Sequence, residues 1–308
     1  MNLPATVLIR EVGPRDGIQS ERANIPTRRK AELIDALSAT GLRRIEALSF
    51  VSPRAVPQMA DAAEVWRAVR RRPDVFYSAL VPNRKGARTA IDAGLDGLQA
   101  FVAATDRYNV RNLGRTVEES LRDVADVAEA GRSSGVPVEA SLSCAFGCPY
   151  EGDVAPERVV AVAQRIVDEG IEALSLGDTT GMATPRRVRD LVLALRAKLP
   201  QTTLNMHFHD TRGTGLANAL VAMDLGITYF DASVGGMGGS PFAVGASGNI
   251  ATEDLVHMLE DSDVSTGVDL EALLDAARLA QELVAGELPG KVLRAGPRAP
   301  VTPASSQN

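Results

Sequence analysis

The chain has 308 residues, 45% hydrophobic and 23% charged, which is the balance of an ordinary soluble globular protein and not of a disordered chain. Its net charge of −6 argues against non-specific nucleic-acid binding, while leaving room for a local cationic site that takes an anionic substrate. No apolar stretch approaches a membrane span, and Met1–Thr6 is too short for a secretory leader before the strand-like run at Val7.

Along the chain, short apolar runs alternate with helix-like segments. The expected strands are Val7–Val12, Arg44–Phe50, Val75–Val81, Gly97–Ala103, Pro137–Cys144, Ala173–Asp178, Leu204–His209 and Tyr229–Val234. Between them the helix signals are specific. Leu33, Ile34 and Leu37 follow Pro26-Thr27 on one face. Thr116 and Glu119 form a capping-box pattern. Thr184-Pro185 reads as N-cap and first helical residue ahead of Val188, Leu191, Val192 and Leu195. Gly41, Gly94, Gly131, Gly170 and Gly226 are expected to close helices just before the next strand. Eight strands separated by helices point to parallel pairing through crossovers and to a closed α/β (β/α)8 TIM barrel. A doubly wound sheet is the competitor, weakened because no GxGxxG follows the first strand. Asp269–Leu288 reads as one extra C-terminal helix, so residues 1–288 are expected to be one domain and 289–308 a flexible tail. The two cysteines, Cys144 and Cys148, read as free thiols.

In such barrels chemistry sits at the C-terminal ends of the strands. Two of the three histidines, His207 and His209, stand there in His-Phe-His-Asp. A period of two aims both imidazoles at the same face, where they can share a metal ion or form part of a hydrogen-bonded rim. The first strand ends in Gly13-Pro14-Arg15-Asp16-Gly17: Asp16 offers a hard oxygen ligand and Arg15 a cation for a developing oxyanion. Asn249 ends a glycine-rich run after the eighth strand, where it could cap the next helix or complete a metal shell. Two nitrogens and two oxygens suit an octahedral Mg2+ or Mn2+ better than a structural zinc. Glu46 on the second strand and Asp178 in Ser-Leu-Gly-Asp-Thr are rim carboxylates, either catalytic or partners for Arg15.

Taken together these segments resemble hydroxymethylglutaryl-CoA lyases. The matching stretches are Glu11–Gln19, Ile45–Met59, Ser143–Gly152, Ser175–Gly181, His207–Asp210 and Gly245–Leu255. The resemblance implies a divalent metal on Asp16, His207, His209 and Asn249, and Arg15 on the thioester enolate. It also implies that 3-hydroxy-3-methylglutaryl-CoA is cleaved to acetyl-CoA and acetoacetate, or a close 3-hydroxy-acyl-CoA analogue likewise, with Gln19, Asn112 and Ser175 near the substrate. A cytoplasmic homodimer acting in leucine degradation is the accompanying expectation. This chain departs from the family at Ser240, where the family carries the cysteine taken as acid and base, and at Glu139, where it tends to be basic. A Claisen-type condensing transferase and a hydroxy-oxoacid aldolase of the same superfamily are the alternatives.

Overall fold

In the computed structural model, residues 1–21, 24–239 and 248–298 are described. Eight parallel strands close in sequence order: β1 (Leu8–Glu11), β2 (Arg44–Ser49), β3 (Phe76–Leu80), β4 (Gly97–Ala103), β5 (Val138–Ser143), β6 (Ala173–Asp178), β7 (Thr203–Phe208) and β8 (Tyr229–Ala232), with β8 pairing back on β1. The expected TIM barrel is what forms. The strands are apolar because helices cover their outer face. Met206 and Phe208 of β7, for example, are fully buried between sheet and helices, and Phe208 stacks at 5.7 Å on Phe146.

The helix signals do their local work. Thr116 and Glu119 complete a reciprocal capping box on Val117–Ser134, and Pro185–Lys198 buries the four anticipated residues, Val188, Leu191, Val192 and Leu195. Each such aliphatic side chain withdrawn from water contributes about 1.5–3 kcal/mol. Gly41, Gly94, Gly170 and Gly226 all take the left-handed backbone that ends a helix. Gly131 does not. It lies inside its helix, which Gly135 closes, and its missing side chain is a matter of space: a Cβ there would fall 2.4 Å from Val138 Cγ2.

Several boundaries differ for identifiable reasons. β1 stops at Glu11 because the Val12 carbonyl accepts the amides of Arg15, Asp16 and Gly17, folding Gly13–Gly17 into a single wide turn. The last long helix runs Leu270–Leu283, capped by Asp269, and stops short of Leu288 because Val284 turns extended. Residues 289–298 are not a loose tail. They include a helix, Lys291–Ala295, whose first amides are bound by the Asp254 carboxylate at 3.0 and 2.7 Å. Among the described residues no helix is long and apolar enough to cross a membrane.

Candidate metal centre and active site

Three segments meet at the C-terminal mouth of the barrel. The turn Gly13–Gly17 carries Arg15 and Asp16 inward. A Cβ on Gly17 would meet Met237 at 2.8 Å, so only glycine lets the turn press this close to the segment after β8. β7 delivers His207, and His209 follows it in an antiparallel bridge to Asn249. Asn249 therefore does not cap a helix: the next one, Thr252–Glu260, starts three residues later with Ala251 at its N-cap. Gly238, at φ +96°, lays its backbone over Asp16 and Asn249, where a Cβ would come within 2.7 Å of Asn249 Nδ2.

The polar atoms converge. His207 Nε2 lies 3.2 Å from His209 Nε2 and 3.9 Å from Asp16 Oδ2. Among the described residues, Asp16, His207 and His209 form the one group of His, Cys, Asp and Glu able to hold a metal ion. Asn249 donates Nδ2 to Asp16 Oδ2 at 2.7 Å and to the Met237 carbonyl at 2.9 Å, while its Oδ1 is buried with no hydrogen-bond partner. A hard oxygen anion, two imidazoles and an unsatisfied amide oxygen fit a divalent cation. Burial opposes ionisation of Asp16, but Arg15 and the two histidines outweigh it and hold its pKa below the usual carboxylate value. His207 is buried too, yet the hydrogen bond and charge of Asp231 hold its pKa above the usual imidazole value.

Arg15 is clamped. It gives Nη1 to Asp16 Oδ1 at 2.5 Å and Nε to Glu46. Glu46, next to a register shift between β2 and β3, is thus the ion-pair partner of Arg15 and does not reach the cavity wall. Asp178 does not reach it either. Neighbouring Ser175 and Gly177 line the cavity, whereas Asp178 Oδ1 accepts the amides of Met182 and Ala183 at 2.7 and 2.9 Å. Burial pushes its pKa up to about 7. The cavity itself is about 500 Å3 and is lined by Arg15, Asp16, Gln19, Asn112, Ser175, His207 and His209 together with apolar residues such as Val51, Leu80 and Phe101. Gln19 also donates to Asp16 Oδ1 at 2.7 Å. Ser240 lies outside the described residues.

The HMGL-like family model matches residues 6–280. The chain belongs to the HMGL-like family. A chicken protein, Gallus gallus mitochondrial hydroxymethylglutaryl-CoA lyase, is 46% identical over 88% of this chain and 91% of its own. A Pseudomonas aeruginosa 3-hydroxy-3-isohexenylglutaryl-CoA/hydroxymethylglutaryl-CoA lyase is 45% identical over 90% of this chain and 93% of its own. The crystal structure of Bacillus subtilis HMG-CoA lyase superimposes with a TM-score of 0.93 at 44% identity, covering 95% of this chain and 98% of that one. This HMGL-like chain is accordingly an enzyme of the lyase type.

Sequence reasoning missed the carboxylates that brace the HMGL-like site from behind. Glu11, fully buried, accepts the amides of Gly13 and Val234 and the hydroxyl of Thr252 at 2.7, 2.9 and 2.6 Å, tying the Arg15–Asp16 turn to the segments after β8. Glu253 accepts the amide of Gly235 at 3.0 Å. Burial raises both to about 7. Asp231 holds His207 Nδ1 at 3.1 Å. A charged residue inside the otherwise apolar Tyr229–Ala232 was the available signal for the last of these.

Proposed function

We propose that this lyase cleaves 3-hydroxy-3-methylglutaryl-CoA, or a close 3-hydroxy-acyl-CoA, and that for the methylglutaryl substrate the products are acetyl-CoA and acetoacetate. The observation that carries this reading is the convergence of Asp16, His207 and His209 beside Arg15 on one wall of a cavity of about 500 Å3. The names of the relatives favour a lyase over a condensing transferase or an aldolase.

Asp16, His207, His209 and Asn249 Oδ1 are the groups that would hold Mg2+ or Mn2+. When bound, such an ion would supply positive charge that lowers the pKa of a substrate hydroxyl. Asp16 is the carboxylate in the cavity wall that takes the hydroxyl proton. Its own depressed pKa makes it a modest base, so the step depends on that increased acidity. The oxygen then forms a ketone, the adjacent carbon–carbon bond breaks, and its electron pair moves into the thioester as an enolate. Arg15, held in place by Glu46, provides the cation for that charge. Protonation of the enolate carbon completes acetyl-CoA, and Ser240 is the position assigned to that step. Gln19, Asn112 and Ser175 supply polar groups to the substrate.

Incubating the full chain with Mn2+ and 3-hydroxy-3-methylglutaryl-CoA should release acetoacetate and acetyl-CoA in equal amounts. Absence of both products, with this substrate and its 3-alkyl analogues, rejects the reading. Ser240→Cys should raise turnover, because a thiol trades protons far closer to neutrality than a hydroxyl does.

A further inference from the structure

Directly beneath the mouth, Asp231 makes five polar contacts, four of them accepted from donors. Oδ1 accepts Arg10 Nε at 2.8 Å and Asn205 Nδ2 at 2.6 Å. Oδ2 accepts Arg10 Nη2 at 2.9 Å and Ser175 Oγ at 3.0 Å, and meets His207 Nδ1 at 3.1 Å. Both Arg10 and Asp231 are 2% exposed. Strand register produces the arrangement: Arg10 of β1 stands opposite Asp231 of β8, and Asp231 opposite His207 of β7. Arg10 is anchored on its far side by Gln99 Oε1 and Glu139 Oε2, both at 2.8 Å, and Glu139 also pairs with Arg44 at 2.8 Å. Two guanidinium groups thus face two carboxylates in one closed layer.

We propose that Asp231, clamped by Arg10, is a positioning residue that fixes His207 in its Nδ1–H tautomer and so turns the bare Nε2 toward His209 and Asp16. The inference rests on the reading of Asp16, His207 and His209 as a metal site. An ionised carboxylate offers only acceptor lone pairs, so the nitrogen facing it carries the hydrogen. The two-pronged guanidinium contact keeps that carboxylate ionised. Burial opposes its charge, but Arg10 and His207 hold its pKa well below the ordinary aspartate value. A neutral imidazole has one N–H, and with Nδ1 occupied the Nε2 lone pair is left to the side where His209 Nε2 stands 3.2 Å away. Without the clamp the ring is free to exchange tautomers, and one of the two presents an N–H where a ligand is needed. Glu139 acts one step further back, by holding the arginine that holds the aspartate.

Two measurements on the full, chelator-treated chain test this. The 15N shifts of His207 should report the Nδ1–H tautomer wherever the imidazole is neutral; an Nε2–H tautomer overturns the proposal. Titration with Mn2+ alone should give a dissociation constant about 10–100-fold higher for Asp231→Asn than for the unmodified chain. An unchanged constant in a folded variant overturns it. Should Asp231→Asn not fold, the paired substitution Arg10→Gln with Glu139→Gln keeps Asp231 and the net charge, and should weaken Mn2+ binding in the same direction; again, no change is fatal. Neither readout depends on turnover, so a failed assay with the acyl-CoA leaves this result standing.

Discussion

At the mouth of the barrel, Asp16, His207, His209 and Asn249 crowd acceptor atoms together, and the buried Asn249 Oδ1 has no hydrogen-bond partner. One layer down, Arg10 and Asp231 are buried and Arg44 and Glu139 partly so, and there cation and anion are matched across the barrel. The same side-chain chemistry gathers ligand-type atoms at one point in the first place and pairs charge with countercharge in the second, where Arg44 Nε is the guanidinium nitrogen without a partner. Buried polar groups without partners cost roughly 1–3 kcal/mol each, so a fold tolerates them where a ligand completes them. The contrast separates the groups that act from the groups that hold them.

The comparison can be broken most severely from below. Arg10→Met strands the buried Asp231 carboxylate, while Glu139 keeps Arg44, and should lower unfolding free energy by about 3–5 kcal/mol in a urea titration. An equal loss from Asp16→Asn would erase the distinction between the layers, since Arg15 keeps its ion pair with Glu46 when the Asp16 charge is removed and the cost in stability should be small. Next in size, Arg15→Gln should reduce kcat about 100- to 1,000-fold while Mn2+ binding persists, as expected for a cation that meets charge only as it develops. A matching loss of Mn2+ affinity would mean that Arg15 chiefly organises Asp16.

Glu253 sharpens the picture through pH. Its folded pKa, about 7, lies above the ordinary 4.5, so the protonated form is the one the fold favours. Its contribution is complete below pH 4.5 and is lost as pH rises through about 7. Between pH 5 and 8 the unmodified chain should lose about 2–3 kcal/mol through this carboxyl, a loss absent from Glu253→Gln. Parallel pH profiles for the two proteins would contradict it. The smallest effect is expected at Gly131→Ala. Helix propensity gains about 1 kcal/mol. The clash with Val138 Cγ2 and the Val136 carbonyl, 2.4 and 2.7 Å from the new Cβ, more than cancels it. A net melting-temperature decrease of a few degrees is expected.

The acting groups were legible in the sequence because they advertise themselves locally. His207 and His209 share a strand face by spacing alone, and Arg15-Asp16 sits where Gly13-Pro14 breaks a strand. The holding groups were not. Asp178 looked like a rim carboxylate, but alternation along β6 points Ser175 and Gly177 to the cavity and leaves Asp178 to bind the amides of Met182 and Ala183. Glu46 could be catalytic or an ion-pair partner in the sequence, and its contact with Arg15 came only from the tertiary structure.

The sequence by itself determined the eight-fold alternation, the caps that start the helices, the closed barrel and the His-Phe-His pair on one strand face. Those rest on hydrophobic period and turn chemistry, which act over a few residues. Tertiary structure alone decided that Arg10 faces Asp231 across 221 residues of chain, that Asp231 faces His207, and that Glu11 joins Gly13 to Val234 and Thr252. Closing β8 onto β1 sets the first and last of those meetings and the β7–β8 register the second, because a register between strands leaves no mark in either strand alone.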